Sequence, residues 1–173
     1  MSNIDLVLLG LIKQNSQSAY DIKKDIEYRN ISRWVKISEQ SIYKKVLQLE
    51  SKEYITSHKQ KDGNMSDKAV YTITDKGNEY FNKLMNDISN SDISLYLDFN
   101  TIIVNLDLVD DSQKRVLVSN IKLKILEFKE LLNEKYSQRQ HIPDIGKEIF
   151  KQQIALVETL ERWIIDFENN LNK

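Results

Sequence analysis

The sequence predicts a mainly α-helical protein with one small β-hairpin, and three observations carry that expectation. One proline and four glycines in 173 residues are too few turn-formers for an all-β architecture. Residues 38–51 form a two-faced helical stretch, and two short β-type runs follow it around Asp62-Gly63-Asn64. Residues 112–171 hold two long segments whose apolar side chains recur at spacings of three and four.

Taken in order, residues 3–14 are almost wholly apolar from Leu6 to Ile12 and read as a helix covered on several sides, by the chain itself or by a partner. Ser16 or Ser18 caps a second helix to about Tyr28, with Tyr20, Ile22 and Ile26 inward and Lys23, Lys24 and Asp25 outward. Residues 29–37 connect to a third helix capped by Ser38. At about 100° per residue, Ile42, Val46 and Leu49 share one sector of it, while Ser41, Lys44 and Gln48 lie opposite. Strands are expected over 54–59 and 68–73, then a fourth helix from Thr74-Asp75 to about Ser89. Three helices, a two-stranded wing and a fourth helix make a winged helix-turn-helix.

Ser89-Asn-Ser-Asp92 interrupts the periodic pattern and marks either a domain boundary or a kink, which divides the chain into residues 1–88 and 89–173. Beyond it a fifth helix is expected over 92–107, a sixth from Asp110-Asp111-Ser112, and a last one after His141-Ile-Pro143-Asp144. In the sixth, Val118, Ile121, Ile125, Phe128 and Leu132 form a stripe; in the last, Ile149, Gln153, Leu156, Leu160, Trp163 and Phe167 do. The short connector predicts an antiparallel, coiled-coil-like helical hairpin. Leu131, Ile154, Val157 and Ile164 widen the stripes, and a widened stripe calls for a second partner surface.

Zero cysteines exclude disulfides, thiol catalysis and thiolate metal sites. The N-terminus lacks a signal-peptide pattern and no apolar run is long enough to span a bilayer, so the expectation is a cytoplasmic protein with no membrane partner. The net charge of -1 hides an asymmetry: residues 1–83 hold 14 Lys/Arg against 11 Asp/Glu, and residues 84–173 hold 11 against 15. His58 and His141 lie far apart without metal-ligand companions, and no glycine-rich phosphate loop is present, so neither enzyme nor cofactor is expected. Trp34 and Trp163 read as core and seam residues.

Three motifs in this order resemble the PadR-like transcriptional regulators. Leu8-Leu-Gly-Leu-Ile12 with Ser18-Ala-Tyr-Asp-Ile22 is similar to the family's "LGLL…HGYEI" opening. Ser38-Glu-Gln-Ser-Ile-Tyr43 with Leu49-Glu50 is similar to "SPGSLYPALKRLE", and Tyr71-Thr-Ile-Thr-Asp-Lys-Gly77 to "YYRLTEKG". The match covers roughly residues 4–82, and the layout beyond it resembles the longer, AphA-like subfamily. Ala19 stands where the family usually has glycine, Lys44 for its proline, and Leu47 at a position often basic. Asp67 and Lys68 stand where two arginines are common. These departures bear on the DNA sequence recognised rather than on the module.

The module places its third helix in the major groove and its wing on the backbone or minor groove. Candidate DNA contacts are Ser38, Gln40, Ser41, Tyr43, Lys44, Lys45 and Gln48 on the helix, and Lys59, Lys61 and Lys68 on the wing. Gln suits adenine, Lys suits guanine or phosphate, and the wing lysines suit phosphate. Tyr43 reads equally as a half-buried ring and as a phosphate-bonding hydroxyl; the resemblance favours DNA. Palindromic half-sites call for a homodimer. Candidate dimer contacts are Leu6, Leu9 and Phe128, with Leu160 and Phe167 on the hairpin seam. The resemblance implies a repressor on double-stranded DNA, and a small-molecule effector is a further expectation. The alternative from another class is a winged-helix protein-interaction module.

Overall fold

The computed structural model describes residues 2–60 and 68–171. They form two compact units divided between Ile93 and Ser94. In the first, helices α1 (Asn3–Gln14), α2 (Ala19–Tyr28) and α3 (Glu39–Ser51) precede strands β2 (Ile55–Gln60) and β3 (Lys68–Ile73) and helix α4 (Asp75–Ser89). A two-residue strand β1 (Gln17–Ser18) adds to the hairpin, giving a three-stranded antiparallel sheet in the order β1-β3-β2. The sequence reading missed β1, which is too short to show a period. Ile55 pairs with Ile73 and Ser57 with Tyr71, while Ser18 pairs with Val70.

Each helix starts where a side chain satisfies its first amides. Ser2, Ser18, Ser38 and Thr74 accept from the amides of Asp5, Asp21, Ser41 and Gly77 respectively. The core behind them is Leu8, Leu9, Leu11 and Ile12 of α1, Ile22 and Ile26 of α2, Ile42, Val46 and Leu49 of α3, Ile55, Tyr71 and Leu84. Helix α1 is the hub, packing on α2, α3, α4 and β3. Its apolar run is therefore covered by its own unit. Leu9 is completely buried and Leu6 packs partly against the same core, which removes Leu9 as a candidate dimer contact and leaves Leu6 little free surface.

Two aromatics also differ from expectation. Tyr20 lies outward, beneath the Lys24 ammonium at 4.5 Å, because Ile22 and Ile26 already fill the inward face of α2. Trp34 is 43% exposed. The left-handed Asn30 (φ 54°) and one 3-10 turn over Ile31–Arg33 send Ile31 into the core, and Val35 and Ile37 pack beside it. The indole is left outside.

In the second unit, the expected helix over 92–107 reduces to α5 (Asn100–Ile103) and a 3-10 turn over Leu106–Leu108. Short polar side chains bond local carbonyls there and compete with helix: the Thr101 hydroxyl donates to Asp98 O and the Asn105 side-chain amide to Thr101 O, both at 2.7 Å. Helices α6 (Asp111–Gln138) and α7 (Asp144–Leu171) then pack as the expected antiparallel hairpin. Its buried seam is Leu106, Val118, Ile121, Ile125, Leu132, Val157 and Ile164. Val157 and Ile164, expected only to widen the stripe, are its centre. Phe128 and Leu156, expected in it, are exposed instead. In α6, Ile125 and Leu132 on either side of Phe128 stay buried, and in α7 the buried line runs through Val157 and Ile164, one residue beyond Leu156 and Trp163. Half-buried ion pairs, Lys122 with Glu168 at 2.6 Å and Lys129 with Glu161 at 2.5 Å, set the hairpin register. Trp163 stacks between Phe99 and Phe167, with centroids 5.7 and 5.6 Å away.

Candidate DNA-binding surface

Helix α3 begins with a reciprocal cap. The Ser38 amide donates to Ser41 Oγ at 2.9 Å, the Ser41 amide donates to Ser38 Oγ at 3.2 Å, and the Ser41 hydroxyl donates to the Ser38 carbonyl at 2.6 Å. Both serines proposed from the sequence as DNA contacts are thus engaged in starting the helix. Glu39 in the first turn meets the positive helix end and bonds Lys23 of α2 at 2.7 Å, so the two helices are tied together at this point. That hydrogen bond raises the Lys23 pKa above its ordinary value.

With Ile42, Val46 and Leu49 buried, Gln40, Tyr43, Lys44, Leu47 and Gln48 are exposed along one side of α3. At about 100° per residue, Gln40, Lys44 and Leu47 fall within about 60° of one another at the middle of that side, with Tyr43 and Gln48 flanking them. Two amides, one ammonium, one phenol and one aliphatic chain therefore face outward together. The spacing corresponds to just over two helical turns, a length a helix can present to a few base pairs in a major groove.

Lys45 is placed differently. Its Nζ lies 3.0 Å from Asp5 Oδ1, and Asp5, only 5% exposed, also accepts from the Tyr80 hydroxyl at 3.3 Å on Oδ2. The Lys45 approach lacks the angles of a formed hydrogen bond, so it is a charge–charge contact. Burial, and then the Asp5 charge, raise the Tyr80 pKa. This group joins α1, α3 and α4. Its signal in the sequence is Asp5 itself, a lone carboxylate beside the apolar run from Leu6 to Ile12, which needs a cation once buried.

On the wing, Lys59 is exposed and pairs in register with Ala69. Lys68 reaches back to Asp21 Oδ2 at 3.5 Å, against the capping box that Ser18 and Asp21 form on α2. Lys61, Asp67 and the expected Asp62-Gly63-Asn64 turn lie outside the described residues. The far end of the hairpin is locked by Gly77: a Cβ there would sit 1.9 Å from the Tyr54 carbonyl oxygen, which already accepts from the Thr74 amide at 3.1 Å. Among the described residues no cluster of three or more His, Asp or Glu is placed to hold a metal, and no helix is long and apolar enough to cross a membrane.

A capped, outward-facing third helix behind a three-helix core, followed by a β-hairpin, defines the winged helix-turn-helix class. Residues 8–83, which lie within this winged unit, match the model of the transcriptional regulator PadR-like family. No curated protein matches the chain in sequence. Among solved structures, Bacillus subtilis PadR in complex with operator DNA is similar with a TM-score of 0.83 at 18% identity, covering 99% of this chain and 98% of that one. The same protein in complex with p-coumaric acid gives 0.84 at 16% identity, covering 98% and 99%. The Vibrio cholerae virulence activator AphA gives 0.75 at 14% identity, covering 98% of each chain. The mainly helical fold with a small antiparallel wing sheet is shared with all of them.

Proposed function

We propose that the protein is a cytoplasmic transcriptional repressor of PadR type, binding a palindromic operator in double-stranded DNA as a homodimer. The observation that carries the reading is the outward side of α3, where Gln40, Tyr43, Lys44 and Gln48 stand together on a helix capped and braced at its start. The related Bacillus subtilis PadR is seen in complex with operator DNA. Gln40 and Gln48 read base edges, Lys44 reads guanine or phosphate, and the Tyr43 hydroxyl and Lys59 bond phosphates. Repression follows from occupancy, without a chemical step.

The second copy associates through the C-terminal unit. Val116, Leu123, Phe128 and Leu156 of the hairpin are exposed apolar side chains that its own core leaves uncovered. An effector is part of the proposal as well, since the relative above is also seen with p-coumaric acid. An apolar recess of about 310 Å³ lined by Leu97, Phe99, Asn100, Thr159, Leu160 and Trp163 has the size and aromatic wall for a small planar acid or phenol.

Retardation of duplex DNA from upstream of the protein's own gene, titrated with salt, tests the reading. Phosphate contacts give a steep linear fall of log affinity with log salt, and specific DNA outcompetes a scrambled duplex. Binding that is weak, salt-insensitive and indifferent to sequence would instead point to a protein-interaction module.

A further inference from the structure

Leu47 is 61% exposed, although it lies on α3 between Lys44 and Gln48 rather than at a helix end. The core cluster contains Ile42, Val46 and Leu49 from the same helix, and Leu47 neither belongs to it nor packs against it. The second exposed apolar group on this helix is the Tyr43 ring, one turn earlier and about 40° away around the axis. Tyr43 and Leu47 thus form an apolar strip that runs from one flank into the middle of the outward side, beside Gln40 and Lys44, with Gln48 on the opposite flank. Leucine favours helix wherever it stands, but at this position it also adds an aliphatic group to a side otherwise made of amides, an ammonium and a phenol.

We infer that Leu47 is a specificity-determining residue that selects thymine by packing against its C5 methyl group in the major groove. The inference rests on the proposed DNA binding and deepens it. Of the four base pairs, only those with thymine present an apolar group in the major groove; the other edges present donors and acceptors. Setting a leucine against an amino group or a carbonyl strips that group of water and returns no hydrogen bond. Against the thymine methyl the same side chain buries apolar surface on both partners. Leu47 therefore discriminates twice, by attraction to thymine and by the penalty at every other edge. Its neighbours Lys44 and Gln48 supply the polar readout on either side, which fixes the register at which the methyl meets the leucine.

The experiment is selection from a random duplex library by the full chain, followed by affinity measurement on the enriched site with thymine replaced by deoxyuracil, which removes the methyl and nothing else. The enriched half-site holds a thymine whose replacement weakens wild-type binding by about fourfold per half-site. In Leu47→Ala, which folds because the side chain is not in the core, that replacement has no further effect. Leu47→Gln moves the preferred base at the same position. If an enriched site appears but deoxyuracil leaves wild-type affinity unchanged, or weakens the wild type and Leu47→Ala equally, the thymine contact is wrong while DNA binding stands. If no duplex is enriched at all, DNA binding and the contact fall together.

Discussion

Replacing Lys45 by methionine tests whether α3 is held by the Asp5 carboxylate. The substitution keeps the length of the side chain but leaves Asp5, 5% exposed and 3.0 Å from the lost ammonium, with only the Tyr80 hydroxyl as partner. Breaking a fully buried ion pair from one side costs about 3–5 kcal/mol. The Lys45 side chain is 29% exposed, so water reaches the site and the expected loss falls to about 2 kcal/mol. Asp5→Asn keeps the shape and the Tyr80 contact, and lets Lys45 swing into solvent; it should cost about 1 kcal/mol. The double variant should cost about 1–1.5 kcal/mol, well short of the sum, because the charge stranded by one change is removed by the other.

Urea unfolding provides the assay, in a Trp163→Phe background so that the fluorescence of Trp34 alone reports the winged unit. All variants are compared at one protein concentration, because any association between copies enters each midpoint. Single-variant losses that add within about 0.5 kcal/mol in the double variant would refute the buried pair. A second measurement separates bracing from DNA contact. Lys44→Met should lower the slope of log affinity against log salt by about one, whereas Lys45→Met should leave the slope unchanged while weakening binding.

Gly77→Ala should destabilise by about 3 kcal/mol or fail to fold, since its Cβ meets the Tyr54 carbonyl oxygen at 1.9 Å and Ile73 Cγ1 at 2.8 Å; a change within about 0.5 kcal/mol in urea would contradict this close approach. Glu53→Gly should stabilise by about 0.5 kcal/mol in the same assay, because Glu53 ends α3 at φ 63° and its exposed contact with Lys76 contributes little. The Ser18 hydroxyl, more than any other group, lowers the Asp21 pKa below its ordinary value. Its contribution to stability is therefore complete above the ordinary carboxylate range and is lost as pH falls through the lowered value; Ser18→Ala should flatten that acid limb of a pH series of unfolding midpoints. Leu123→Asp with Leu156→Asp should yield folded monomers in ultracentrifugation, because both side chains are exposed in the protomer, and an unchanged mass would remove them from the interface.

Where a residue's role depended on local chemistry, the sequence showed it. Ser38 before an amphipathic run, Thr74-Asp75 before Tyr80 and Leu84, and the strand over 68–73 all stand where they were expected, because capping and alternation are properties of neighbours along the chain. The misplaced site residues share one cause: they required knowing which side of an element meets which partner. Leu9, in a run apolar on every side, offered no direction, and only the packing of α1 among three helices and β3 shows that its own unit covers it. Ser41 and Lys45 lie on the flank of α3, where a rotation of a few tens of degrees separates the cap and the core from the groove side. Helical periodicity places side chains with just that uncertainty, and the contacts of Ser38 and Asp5 decide it.

That decision also sets where operator affinity has to come from on the proposed reading. Of the seven α3 residues first put forward, Ser38 and Ser41 hold the cap and Lys45 faces Asp5, so three polar side chains, Gln40, Lys44 and Gln48, and the Tyr43 hydroxyl are left to reach DNA. Lys68 on the wing already engages Asp21, leaving Lys59 of β2 as the exposed lysine among the described wing residues. A good bidentate base contact discriminates by about 1–3 kcal/mol, so one helix with this inventory separates its site from random DNA by a few kcal/mol at most. Typical operator binding requires about 4–10 kcal/mol of such discrimination. Two copies facing successive turns of the duplex double the inventory without adding a residue type, and the thymine contact of Leu47 counts twice in the same way. On the proposed dimer, the modest charge surplus of the winged unit and the exposed apolar side chains of the hairpin therefore act together: weak half-site reading is made specific by pairing.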